Sequence, residues 1–141
     1  MSLSHLTSPR RLQYLLRMSG VVAAGGAIGG TLRCLFLLLH PTDPGSFPWV
    51  IFLENLTGAF LLGFAVVGLA RSYPHRRYLR VFLTTGMLGS FTTFSNYTMD
   101  IVLLGDEGAL GLALLYGLGS LGGGLLAAFL GVLVARMWMN G

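Results

Sequence analysis

Cysteine occurs once, at Cys34, so no intrachain disulfide can form and no thiolate metal cluster can be assembled. Charge is nearly as scarce. Asp, Glu, Lys and Arg together make up 10% of the 141 residues, against roughly a quarter of a typical soluble chain, and so few charged side chains cannot cover a soluble surface. The histidines number three, and His5, His40 and His75 all fall in the N-terminal tail or in loops; no nucleophile, base and orienting group come together in the pattern, and an enzyme is not expected. What remains is apolar. Hydrophobic residues reach 54%, mean hydropathy is +0.74, and 21 glycines lie inside the apolar stretches without a collagen-like period. Glycine of that kind points to helices packed closely in lipid, and the chain reads as an integral membrane protein.

A hydrocarbon core of about 30 Å requires roughly 20 apolar residues in a helix, and four such stretches occur. The boundaries are residues 18–39, 49–70, 81–104 and 108–135. The first is too long for a secretory h-region and three more follow it, so it is expected to be an uncleaved span preceded by a cytoplasmic tail, residues 1–17. A polar, proline-rich segment from His40 to Gly45 separates spans one and two, and a basic hinge, Arg71 to Arg80, separates spans two and three. Helices are the expected form, because four segments cannot close a lipid-facing barrel. The expected fold is thus all-α, with four transmembrane helices in a membrane domain covering residues 18–141.

Four crossings put both termini and the second loop on one side. Arg10, Arg11, Arg17, Arg71, Arg76, Arg77, Arg80 and Arg136 all lie there, whereas the opposite side carries Asp43, Asp106 and Glu107. By the positive-inside rule the termini face the cytoplasm, and the protein is placed in the plasma (inner) membrane. The same arginines anchor anionic headgroups of the bilayer, at about 1 kcal/mol each. The cluster is too short to suggest nucleic acid as a partner.

Small residues recur at helical spacing, at Gly25 and Gly29, Gly26 and Gly30, Ala59 and Gly63, and Ser120 and Gly124, where they let backbones approach. Three intramembrane features resist a packing explanation. In span three, Gly86 and Gly89 are followed by Thr92, Thr93, Ser95, Asn96 and Thr98. Either the hydroxyls bond back to the preceding turn, or the helix is discontinuous and lines a cavity where freed backbone groups can hold ions; a break in the third span is the expectation. In span two, Asn55 is an amide that needs partners, as an interhelical hydrogen bond or as a pore donor. Finally, Arg33, Glu54 and Asp100 are ionisable residues within or near the bilayer, each of which must face protein, water or a partner charge.

Together these residues resemble the family of small four-helix fluoride channels called Fluc or CrcB. The likeness rests on Gly29-Gly30 with Arg33, on Asn55-x-x-Gly58-x-Phe60-x-x-Gly63, on Gly89-x-x-Thr92-Thr93-Phe94-Ser95, and on Tyr116 with Ser120. It implies a dimer of subunits in antiparallel membrane orientation enclosing two fluoride pores, with a structural sodium ion held by the backbone carbonyls of Gly89 and Thr92. It also implies that Asn55, Thr93, Phe94, Ser95, Tyr97, Tyr116 and Ser120 line the pore, with Arg33 and Asp100 at its entrances. The chain departs from the family pattern at Tyr97, where phenylalanine is usual, at Gly124, where serine is frequent, at Val50-Ile51 in place of Gly-Thr, and at Glu54 in place of an apolar residue. A charged Glu54 beside a pore would repel fluoride, so it is expected to be protonated, ion-paired or turned away.

The activity implied is passive export of fluoride, which lowers its cytoplasmic concentration. Homodimers of this architecture must insert both ways, yet the arginine bias here is one-sided. The chain is therefore expected to insert in one orientation and to pair with a related subunit of opposite bias, a dimer with itself being the alternative. Two other functions compete: a small proton-coupled multidrug exporter using Glu54, and an assembly subunit that conducts nothing.

Overall fold

A computed structural model describes residues 8–140; the first part of the expected tail, His5 included, and Gly141 lie outside the described residues. The architecture is all-α, with no strand among the described residues. Helix α1 is Pro9–Leu39, α2 is Trp49–Ser72, α3 is the short Arg77–Val81, α4 is Gly89–Phe91, α5 is Phe94–Asp106 and α6 is Leu110–Asn140, with a π-helical segment, Phe82–Leu88, between α3 and α4. Helices α1, α2 and α6 are each long and apolar enough to cross a membrane.

The outer helices extend past the expected span limits: α1 starts at Pro9 and runs on from there without interruption. Proline is well suited to the first turn, where its missing N–H has no intrahelical partner to lose, and Leu12, Tyr14, Leu15 and Leu16 carry the apolar character upstream past Arg17. The last helix likewise continues beyond residue 135 to Asn140. Both extensions add a turn or more to the basic end of the molecule, where long arginines can reach headgroups while their helix stays in register.

The third apolar stretch is not one helix. Across residues 82–88 the chain widens into π geometry. There the Thr84 hydroxyl donates to the Arg80 carbonyl at 2.8 Å and so competes with the ordinary helical ladder. Helix α1 packs against this widened segment, and it can do so only because neither partner has side chains in the way. A Cβ at Gly25 would lie 2.5 Å from the Phe82 carbonyl oxygen, and one at Gly29 would run into the Met87 carbonyl. Helices α2 and α6 form the most extensive pair; Gly63 sits against the Ala128 carbonyl and Gly131 against the Phe60 carbonyl.

The ends sort by charge. Arg71 donates to the Asn140 side chain at 3.3 Å, and the Arg77 guanidinium lies 5.3 Å from the Tyr14 ring centre. These contacts bring the start of α1, the end of α2, α3 and the end of α6 to one pole. At the other pole the His40–Pro48 loop meets the α5–α6 turn, with Gly45 close to the Glu107 carboxylate. That loop turns inward through Phe47, whose ring lies tilted against Trp49 at 4.5 Å and meets Tyr116 edge-on at 5.4 Å. The buried core, formed by Ile51, Tyr97, Leu104, Ala113 and Tyr116, is small, and long apolar side chains such as Leu38, Leu118 and Leu125 point outward. An apolar exterior around a small interior that holds a few buried polar groups, Glu54, Thr93 and Ser120, suits a lipid solvent.

Candidate functional site

The site is built around two residues that leave the helix. Thr92 has φ −75° and ψ 149°, and Thr93 has φ −141° and ψ 124°. Both are extended, so α4 ends and α5 begins anew at Phe94. Buried peptide groups at such a gap need partners. Asn55 of α2 supplies them: its Nδ2 donates to the Thr93 carbonyl at 3.0 Å, and its Oδ1 accepts from the Thr93 N–H at 2.8 Å. One amide side chain thus satisfies both peptide groups of a single residue. The Thr93 hydroxyl then caps α5, accepting from the Asn96 N–H at 3.2 Å, and lies 3.2 Å from the Ser95 hydroxyl. Gly58 makes the junction possible, because a side chain there would strike the Thr92 methyl.

This wiring diverts two donors. In a continuous α-helix the carbonyl of residue i accepts from the N–H of residue i+4. The Gly89 carbonyl would take the Thr93 N–H, and the Thr92 carbonyl would take the Asn96 N–H; the first is bound by Asn55 and the second by the Thr93 hydroxyl. The two carbonyls expected to hold sodium are therefore among those from which the break removes the helical donor. Backbone carbonyl oxygens are a donor type that hard cations prefer. Not every hydroxyl takes part: Thr92 and Thr98 bond back to carbonyls of the preceding turn, Leu88 and Phe94, at 3.1 Å each.

Beside the break lies an open groove of about 340 Å³, and Asn55, Thr92, Thr93, Phe94, Tyr97 and Ser120 contribute to its wall. Ser120, on α6, is buried, and its hydroxyl has no hydrogen-bond partner. Phe94 projects outward, 72% exposed, with its ring 5.5 Å from that of Tyr97. The Tyr97 hydroxyl donates to the Gly117 carbonyl at 2.9 Å. The extra oxygen that distinguishes it from phenylalanine is thereby tied into α6, and the ring alone faces its aromatic neighbours.

The other expected residues stand apart from the groove wall. Tyr116 is fully buried in the core and donates to Asp100 at 3.1 Å, which forms a linked pair towards the α5–α6 turn. Ser95 reaches the site only through Thr93. Arg33 lies on α1, near enough to Glu54 for their charges to interact. Glu54 does not face the groove; it lines a different cavity of about 550 Å³ with Phe36, Phe47, Trp49 and Phe91. It is turned away from the groove, as one helical step of about 100° from Asn55 allows. That cavity and the two-way bond of Asn55 to Thr93 escaped sequence reasoning. Gly58, three residues after Asn55 and closed over by Thr92, is the sequence signal that came nearest to the bond.

Residues 20–132 match the family described as CrcB-like protein, Camphor Resistance (CrcB). A Streptomyces avermitilis protein described as "Fluoride-specific ion channel FluC 2" is 47% identical over 96 residues, which is 68% of this chain and 61% of that protein. The same organism has a "Fluoride-specific ion channel FluC 3", 42% identical over 116 residues, 82% of this chain and 57% of that protein. The chain thus spans less than two thirds of those two relatives. A "Fluoride-specific ion channel FluC" of Chelativorans sp. is 40% identical over 117 residues, 82% of this chain and 94% of that protein.

Proposed function

The chain belongs to the CrcB-like family, and from that premise we propose that it is a fluoride-selective channel. It passes fluoride passively down its electrochemical gradient and so lowers fluoride in the cytoplasm. The observation that carries this reading is the gap at Thr92–Thr93, held open by Asn55 and bordered by the unpartnered Ser120 hydroxyl. Fluoride is small and strongly hydrated; a pore must replace its water donors without holding it so firmly that it cannot leave. A buried hydroxyl with no protein partner is a donor already desolvated and free to turn towards an anion. Asn55 spends its oxygen and one N–H on Thr93, which leaves its second N–H for the groove. The ring edge of the exposed Phe94 adds weak attraction without bringing water.

The groove is open on one side, and a second subunit in antiparallel orientation closes it into a pore. The Gly89 and Thr92 carbonyls would hold a structural sodium ion, which would supply a fixed positive charge beside the break. The chain crosses the membrane four times, with its basic pole and both termini in the cytoplasm of a plasma membrane. Its partner is a related subunit of opposite bias; the presence of two relatives in Streptomyces avermitilis fits such pairing.

Fluoride efflux from liposomes tests the function. Reconstituted with a paralogue of opposite bias, the chain is expected to release fluoride and retain chloride, with no requirement for a pH gradient, and reconstituted alone to release much less. Efflux of organic cations without fluoride would replace the channel with an exporter, and no flux in either preparation would leave an assembly subunit. Phe94→Ile is expected to suppress flux without preventing assembly.

A further inference from the structure

The cavity around Glu54 is lined by other residues than the groove beside the break. It lies between α1, α2, α4 and the His40–Pro48 loop, at the acidic pole. We propose that it is a binding site for a small aromatic cation, whose N–H groups meet the Glu54 carboxylate while its ring enters the aromatic wall.

Three observations combine. Glu54 is 5% exposed, and neither carboxylate oxygen has a hydrogen-bond partner. A buried carboxylate without donors is costly in any apolar medium. Arg33 interacts with it through charge alone; its guanidinium makes no hydrogen bond to Glu54, and its own Nε is buried without a partner, so the donors the carboxylate lacks must come from elsewhere. Second, the walls around Glu54 are aromatic. Phe36 and Phe91 meet edge to face at 6.3 Å, and Phe47 lies 4.5 Å from Trp49. Such walls accept a flat ring and attract a cation. Third, the volume of about 550 Å³ lies within the range of roughly 300–1,000 Å³ typical of small-molecule sites. An acceptor-only group at the end of an aromatic slot selects an amidinium or ammonium over an anion or a neutral amide, because only a cation both supplies donors and offsets the charge. The proposal does not depend on fluoride conduction, and its test uses binding alone.

Trp49 on the cavity rim and Trp138 near the opposite pole are the only tryptophans. In the full chain carrying Trp138→Phe, reconstituted in neutral-lipid vesicles, fluorescence therefore reports on the cavity. Titration with benzamidinium is expected to give a saturable change in Trp49 emission, with benzamide, its neutral counterpart, giving none. Glu54→Gln keeps the side-chain size and is expected to weaken benzamidinium binding at least tenfold. Equal binding in Glu54→Gln, an equal response to benzamide, or no saturable response in the parent would each overturn the site. Should Glu54→Gln not assemble, equilibrium dialysis of the parent with labelled benzamidinium decides: displacement by 4-aminobenzamidinium but not by benzamide is expected, and displacement by both removes the proposal.

Discussion

Asn55 and Ser120 border the same groove and make opposite demands on it. Asn55 holds two peptide groups of Thr93 that have no other partner, so Asn55→Ala leaves a buried donor and a buried acceptor unsatisfied, at about 1–3 kcal/mol each. The expected outcome is a loss of about 2–6 kcal/mol in unfolding free energy, measured in detergent, together with at least a tenfold fall in fluoride flux. Asn55→Asp can still accept from the Thr93 N–H but cannot donate to its carbonyl, so it should recover part of the stability and none of the flux. Ser120 has a hydroxyl that no protein group uses. Ser120→Ala should therefore leave stability within about 0.5 kcal/mol, as a substitution that breaks no internal bond does, while flux falls severalfold. Equal loss of stability in the two variants would mean that Ser120 is structural. Sequence alone left Asn55 poised between an interhelical bond and a pore donor, because residue type carries no information about partners. The structure shows why neither alternative excludes the other: an amide has enough hydrogen-bonding groups to clamp one peptide and still present a donor.

At the scale of elements, the discontinuity in the third apolar stretch was legible and its form was not. Glycines followed by a crowd of hydroxyls marked the region, since an unbroken lipid-facing helix gains nothing from them. The extension of α1 to Pro9 and the π geometry of residues 82–88 left no comparable mark. Arg10, Arg11 and Arg17 read as the end of an apolar run, and hydropathy cannot tell a helix that stops from one that continues into headgroups. The π segment follows from tertiary contact with α1, whose glycines admit it. Gly29 is the sharpest test. A methyl group there meets the Met87 carbonyl, which is backbone and cannot turn aside, whereas Gly20 of the same helix has open space around it. Overpacking of this kind typically costs about 1–3 kcal/mol. Gly29→Ala is expected to lower the thermal midpoint and to loosen α1 from the π segment, seen as faster amide hydrogen exchange across residues 82–88. Gly20→Ala should change neither measurement. If both variants behave alike, the close approach of α1 is not what holds the third segment in its widened form.

For the whole molecule, orientation follows from a charge distribution that the fold concentrates. Contacts between Arg71 and Asn140 and between Arg77 and Tyr14 gather the arginine-bearing ends at one pole, and the opposite pole carries Asp43, Asp106 and Glu107. A short loop rich in arginine resists translocation, and here the bias is repeated at the N-terminus, the second loop and the end of α6, so no segment argues for the reverse insertion. Single-cysteine chains in a Cys34→Ala background read the result directly. A cysteine placed at His75, in the basic hinge, should be protected from an impermeant maleimide in intact cells, and one placed at Asp106 should react. The charge explanation carries its own control: replacing Arg71, Arg76, Arg77 and Arg80 together by glutamine removes half of the bias and is expected to bring a measurable fraction of His75→Cys chains to the outer face. On the proposed reading, a fixed topology also sets the assembly. A chain that inserts only one way cannot by itself supply the inverted subunit that closes its groove, so flux should be low when it is expressed alone and rise when a paralogue of opposite bias is present. Comparable flux from the chain alone, with half of its His75→Cys sites labelled from outside, would mean that it inserts both ways and pairs with itself despite its arginines.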